Sequence, residues 1–184
     1  MGARRNTLIS LTTLIAFVAT GLLATASAQV GEGAERPSSQ IDYDGFLNVS
    51  DEVRGVRAAR LVSLEDFSEM ATQPDTIILD ARSESAYRQG HIDGAVHLSF
   101  SDFSDERLAD LIPSRDTRIL IYCNNNFSDD VEPVLLKRSP LALNIPTFIN
   151  LYGYGYRNVY ELADVVETSH EDLNWTRAQP ALSF

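Results

Sequence analysis

The sequence predicts an α/β protein built on an open sheet, and three observations predict it. Two continuous apolar runs, Thr76-Ile77-Ile78-Leu79 ending in Asp80 and Arg118-Ile119-Leu120-Ile121-Tyr122, have the length and unbroken hydrophobicity of strands buried on both faces. Segments with helix-start chemistry alternate with these and weaker strand-like stretches. Each long run also delivers a chemically capable side chain at its carboxyl end, Asp80 in one and Cys123 in the other, which is where open sheets of this kind hold their sites.

Taken in order, the chain opens with Arg4 and Arg5, an apolar run from Leu8 to Leu23, and the small-residue exit Ala26-Ser27-Ala28. That pattern predicts a signal peptide over residues 1–28 and an exported protein, periplasmic or extracellular after cleavage. The mature chain then has no membrane span. Residues 29–40, "QVGEGAERPSSQ", read as a flexible linker. Residues 41–59 form an N-terminal extension whose apolar positions predict an irregular segment with a short helix at the domain edge. Leu61-Val62 is a short strand. Ser63 followed by Asp66 is a capping-box-like start for a helix through Met70 or Ala71.

After the run ending at Asp80, a short helix is expected around Glu84–Gln89 and a strand at Ala95–Leu98. A helix over Phe103–Leu111 and the run ending at Tyr122 follow. Asp130–Arg138 can form a helix with Pro133 in its first turn. Another should start at Asn144-Ile145-Pro146 and stop at Gly153 and Gly155, and Asn158–Leu162 is a final strand. The tail over residues 169–184 is polar, with Trp175 expected to tuck back on the domain. Tyr152, Tyr154, Tyr156 and Tyr160 read as ring packing at a domain edge in preference to a pocket lining.

Charge and cysteine usage narrow the function. The 184 residues hold 26 acidic and 15 basic side chains, a formal net charge of −11, and losing the leader removes two arginines and no acid. Nucleic-acid binding is disfavoured, because nothing offsets phosphate charge. A single cysteine makes no internal disulfide and has no resolving partner for dithiol redox chemistry. The three histidines lack metal-site spacing. Neither a metal nor a cofactor is expected.

Leu79-Asp80-Ala81-Arg82 and the stretch Tyr87-Arg88-Gln89-Gly90-His91-Ile92-Asp93-Gly94-Ala95-Val96-His97-Leu98, with a cysteine after the next long strand, resemble the rhodanese-like family. The resemblance spans roughly residues 60–166, within a domain set at residues 60–168. It implies an open parallel five-stranded sheet flanked by helices, and it makes Cys123 the residue that carries a persulfide in sulfurtransferases. Asn124, Asn125, Asn126, Phe127 and Ser128 then form the substrate-binding loop. Asp93 stands where proline is usual, Ala163-Asp164 where two glycines end the last strand, and the segment after Cys123 is long. The phosphatase branch of the superfamily needs an arginine six residues after the cysteine to clamp phosphate oxygens. Asp129 occupies that position, which argues against phosphatase chemistry.

Cys123 is thus expected to be a partly exposed nucleophile whose anion is held by loop N–H groups, with a pKa no higher than that of a free thiol. The three asparagines suit such a loop by tolerating left-handed backbone and adding amide donors. Asp129, Asp130 and Glu132 oppose it by like-charge repulsion, and the loop has no lysine or arginine. Asp80 and Arg82 read as a strand-end brace, with Arg82 paired to Glu84 or another nearby carboxylate, and His91 as a ring that fastens a turn. Two functions stay open. One is a sulfurtransferase or persulfide carrier acting on a small sulfur-containing donor. The other is a non-catalytic binding module that recognises a ligand or protein partner.

Overall fold

The computed structural model describes residues 40–129 and 136–177. The expected signal peptide, most of the linker, the first part of the Asp130–Arg138 helix and the end of the tail lie outside the described residues. Leu136–Arg138, which are described, are not helical.

Five strands form one parallel sheet. They are β1 (Leu61–Val62), β2 (Thr76–Asp80), β4 (Val96–His97), β5 (Arg118–Tyr122) and β6 (Val159–Leu162), in the spatial order β1-β6-β5-β2-β4. The two long apolar runs are neighbours, with Thr76 opposite Arg118 and Asp80 opposite Tyr122. Side chains alternate across β5, so Ile119 and Ile121 join one apolar cluster and Leu120 and Tyr122 the other. Coverage on both faces explains why these runs are unbroken in sequence.

The first cluster is covered by α1 (Tyr43–Ala58), α4 (Asp105–Leu111) and α5 (Asn144–Gly153), which contribute Val53, Leu108, Phe148 and Leu151. The second is covered by α2 (Leu64–Ala71) through Leu64 and Phe67, with α3 (Glu84–Gln89) following β2. Serine starts three of these helices. Ser63, Ser83 and Ser104 accept the N–H groups of Asp66, Ala86 and Arg107, filling donor groups that a first turn leaves unpaired. No described helix is long and apolar enough to cross a membrane.

Several local expectations change. The extension is one continuous 16-residue helix, α1, capped by Asp42 at Gly45 N. Val49, Val53 and Val56 lie along one face and pack into the core, so tertiary burial overrides the cost of Gly45 and Gly55 within the helix. The helix expected from Phe103 starts at Asp105, after a separate 3₁₀ turn at Phe100–Asp102. The tail adds a strand that sequence pattern did not reveal: β7 (Trp175–Arg177) pairs antiparallel with β3 (Gly90–Ile92). Trp175 does fold back, packing on Phe127 at 4.6 Å between ring centroids. Tyr156 is in the core, Tyr152 and Tyr154 pack against it, and Tyr160 stacks under Arg60.

Candidate active site

Cys123 follows the last residue of β5 and starts a 3₁₀ turn at Asn124–Asn126. Each of the three asparagines ties this turn down with its side chain. Asn124 Oδ1 accepts from Arg82 Nη1 at 3.1 Å. Asn125 exchanges two hydrogen bonds with the backbone of Lys137, at 2.7 and 3.2 Å. Asn126 Oδ1 accepts from Cys123 N at 2.9 Å and from Asn144 Nδ2 at 3.0 Å, while its Nδ2 donates to the carbonyls of Leu162 and Asp164. None of the three adopts the left-handed backbone expected of them. They fix the loop as staples, because an amide can donate and accept at once.

The thiol is 1% exposed, not partly exposed as expected. Burial pushes its pKa up, and the Glu161 carboxylate adds to that, while the N–H groups of Asn144, Asn125 and Leu143 favour the anion and oppose both. The net shift is upward, against the expected value at or below that of a free thiol. An N–H cradle is therefore present but outweighed by desolvation. It also comes from a different place than the loop alone: two of its three groups belong to the N-cap and first residue of α5, where the helix dipole is positive.

The carboxylate that adds to the rise, Glu161, is one that sequence reasoning did not name. Asp129 turns away to accept from Thr168 N at 2.7 Å and Thr168 Oγ1 at 2.8 Å. Its slight burial raises the pKa, but these bonds and Arg177 outweigh it and the result is a lowered value. Asp130 and Glu132 lie outside the described residues. Glu161 sits in β6 at 5% exposure and binds Arg57 of α1 through both carboxylate oxygens, each at 2.6 Å.

Cys123 opens into a cleft of about 270 Å³ lined by Asn125, Asn126, Asn144, Arg57 and Glu161, among others. Of the five expected loop residues, Asn125 and Asn126 line it. Asn124 instead faces Arg82. Phe127 is fully buried and meets Tyr122 and Trp175 edge-on. Ser128 bonds to Val166 O through N and Oγ. Sequence reasoning missed Arg57, Glu161 and Asn144. Only Glu161 left a signal, as a lone charge inside the apolar stretch Val159–Leu162.

Asp80 and Arg82 lie beneath the loop as a buried pair, both side chains 0% exposed and 2.7 Å apart. Among the described residues the carboxylate paired with Arg82 is the nearby Asp80, whereas Glu84 pairs with Arg88. Arg82 Nη2 also donates to Gly90 O at 2.6 Å, and the guanidinium lies over the rings of Tyr122 and Trp175. Tyr122 donates to Asp80 Oδ2 at 2.6 Å. Burial, followed by the Asp80 charge, raises its pKa well above the usual phenol value. His91 Nδ1 lies 2.9 Å from Tyr87 O and its ring stacks on Tyr87, so it ties β3 back to α3 and does not line the cleft. Among the described residues no group of His, Cys, Asp or Glu gathers to hold a metal ion.

Comparison with known proteins agrees with this architecture. The family model described as "Rhodanese-like domain" matches residues 63–164. Solved structures similar to the chain include a thiosulfate sulfurtransferase from Pseudomonas aeruginosa, 18% identical, covering 73% of this chain and 24% of that one with a TM-score of 0.48. A rhodanese with anions from E. coli is 20% identical, covering 55% of this chain and 98% of that one at TM-score 0.38. The rhodanese-like domain of an Anabaena protein is 23% identical, covering 56% and 67% at TM-score 0.39. No curated protein matches.

Proposed function

The chain belongs to the rhodanese-like family, and from that premise we propose that it is a sulfurtransferase or persulfide carrier with Cys123 as the nucleophile. The carrying observation is the position of the thiol: buried at the carboxyl end of a central strand, among the residues that line a cleft, with the N–H groups of Asn144, Asn125 and Leu143 favouring its anion. With thiosulfate as donor, the Cys123 thiolate attacks the outer sulfur. The donor's S–S bond breaks, sulfite leaves with the electron pair, and a cysteine persulfide anion forms. A nucleophilic acceptor such as cyanide then takes the outer sulfur as thiocyanate and returns the thiolate. Asn125 and Asn126, lining the cleft, contact the donor. A raised thiol pKa lowers the fraction of thiolate at neutral pH but makes each thiolate intrinsically more nucleophilic.

The test is to incubate the protein with thiosulfate and weigh it. A gain of one sulfur atom that cyanide removes, and that Cys123→Ser abolishes, supports the proposal. The burial of the thiol favours a second reading, a binding module that holds a ligand in the same cleft without turnover. Absence of sulfur loading by folded wild-type protein selects that reading.

The leader supports placing this chemistry outside the cytoplasm. Expression in a secreting host should yield a chain whose intact mass begins at Gln29. A mass retaining residues 1–28 overturns the export proposal.

A further inference from the structure

The cleft that holds Cys123 is completed by a residue from outside the family's 63–164 region. Arg57, in the last turn of α1, donates Nε and Nη2 to the carboxylate of Glu161. Arg57 and Glu161 both line the cleft, and among the described residues lining it they are the only ionisable side chains besides the thiol. The pair is lopsided toward solvent. The Arg57 side chain is 28% exposed and that of Glu161 is 7%, so the cation is the member that a diffusing molecule meets.

Guanidinium geometry determines what remains available. Glu161 occupies the side edge formed by Nε and Nη2. The end edge, made by Nη1 and the second N–H of Nη2, is left to donate to a further pair of oxygens. The Asn124–Ser128 loop contributes no cation of its own.

We propose that Arg57 is the anion-receiving residue of the Cys123 cleft, selecting sulfur donors that end in anionic oxygens, of the thiosulfate or thiosulfonate class, over neutral sulfane donors. This rests on the reading of Cys123 as the nucleophile. In the transfer step described above, the end edge of Arg57 holds the oxygens of the departing sulfite.

The experiment compares alkylation of Cys123 by anionic iodoacetate and neutral iodoacetamide. Both attack the same thiolate, so the ratio of their rates cancels the thiol pKa and reports the charge preference of the cleft alone. The variant is Arg57→Met with Glu161→Gln, which removes the cation without leaving a buried carboxylate unpaired. The iodoacetate to iodoacetamide ratio should fall about two- to threefold, less than loss of a lone cation would give, because the variant also removes the Glu161 carboxylate and only the difference between the two charges is felt. The KM for thiosulfate should rise by a similar factor, while the rate at which Cys123 attacks the central sulfur of a neutral dialkyl trisulfide, forming the mixed trisulfide and releasing one alkanethiolate, stays unchanged.

Arg57→Lys should restore most of the ratio, and Glu161→Gln alone should raise it above wild type. These two single variants decide the matter if the double variant does not fold. Equal ratios across wild type and variants overturn the proposal even if thiosulfate loading proceeds, and so does a wild-type thiol that reacts with neither reagent. A wild type that prefers iodoacetate but loads no sulfur overturns the catalytic reading and leaves Arg57 as the anion site of a binding module.

Discussion

At the scale of single residues, the centre of the structure is Arg82. Its guanidinium meets Asp80, Gly90 and Asn124, so one side chain connects the end of β2, the start of β3 and the turn that follows the thiol. A buried ion pair contributes little net stability compared with an apolar replacement, but removing one partner strands the other charge. Arg82→Met should therefore cost about 3–5 kcal/mol, read as a shift of the urea midpoint. It should also loosen the cysteine turn, because Asn124 loses its donor. Arg82→Lys should recover only part of this, since an ammonium cannot serve three differently placed acceptors as a planar fork does. Wild-type stability in Arg82→Met would show that the network does not brace the loop.

At the scale of elements, two glycines in the described residues make opposite demands. Gly94 lies in the turn between β3 and β4 at a φ of 76°, with nothing near the place a Cβ would take. Backbone conformation and not crowding requires it, so Gly94→Ala should cost about 1–2 kcal/mol and Gly94→Asn distinctly less, as measured by urea denaturation. Gly55 sits inside α1 with ordinary helical backbone and open space around it. Gly55→Ala should then stabilise the protein by about 0.5–1 kcal/mol; a lower melting temperature would contradict that account. The elements themselves were legible wherever the sequence pattern and the burial agree. Thr76–Asp80, Arg118–Tyr122 and the Ser63-capped helix could be read because continuous apolar runs and a cap residue are local signals. α1 was only half legible, since two glycines and many charges mask a stripe that only α5 makes useful. β7 was illegible, because its pairing with Gly90–Ile92 depends on a contact distant in sequence.

For the molecule as a whole, burial of ionisable groups sets a direction of pH response. Cys123 and Tyr122 both hold their protons more firmly folded than unfolded, chiefly through desolvation. Where the native state binds more protons than the unfolded chain, unfolding free energy falls as pH rises. Their contribution is complete below the ordinary thiol value and is lost as pH climbs from there toward the folded values. Stability should thus decline on the alkaline side, Cys123→Ala should remove the earlier part of the decline, and urea midpoints taken from neutral pH upward would show it. The position of the thiol at a strand end was legible in the sequence. Its burial, the cradle from α5 and the Arg57–Glu161 pair were not, because each arises from segments that meet only in the folded chain. That last contact joins residues 104 positions apart, one of them on a helix outside the region the family shares. On the two proposals above, donor preference and sulfur chemistry occupy separable parts of the chain. Exchange of the N-terminal helix for another would then change the charge beside the thiol while the cysteine loop stays untouched.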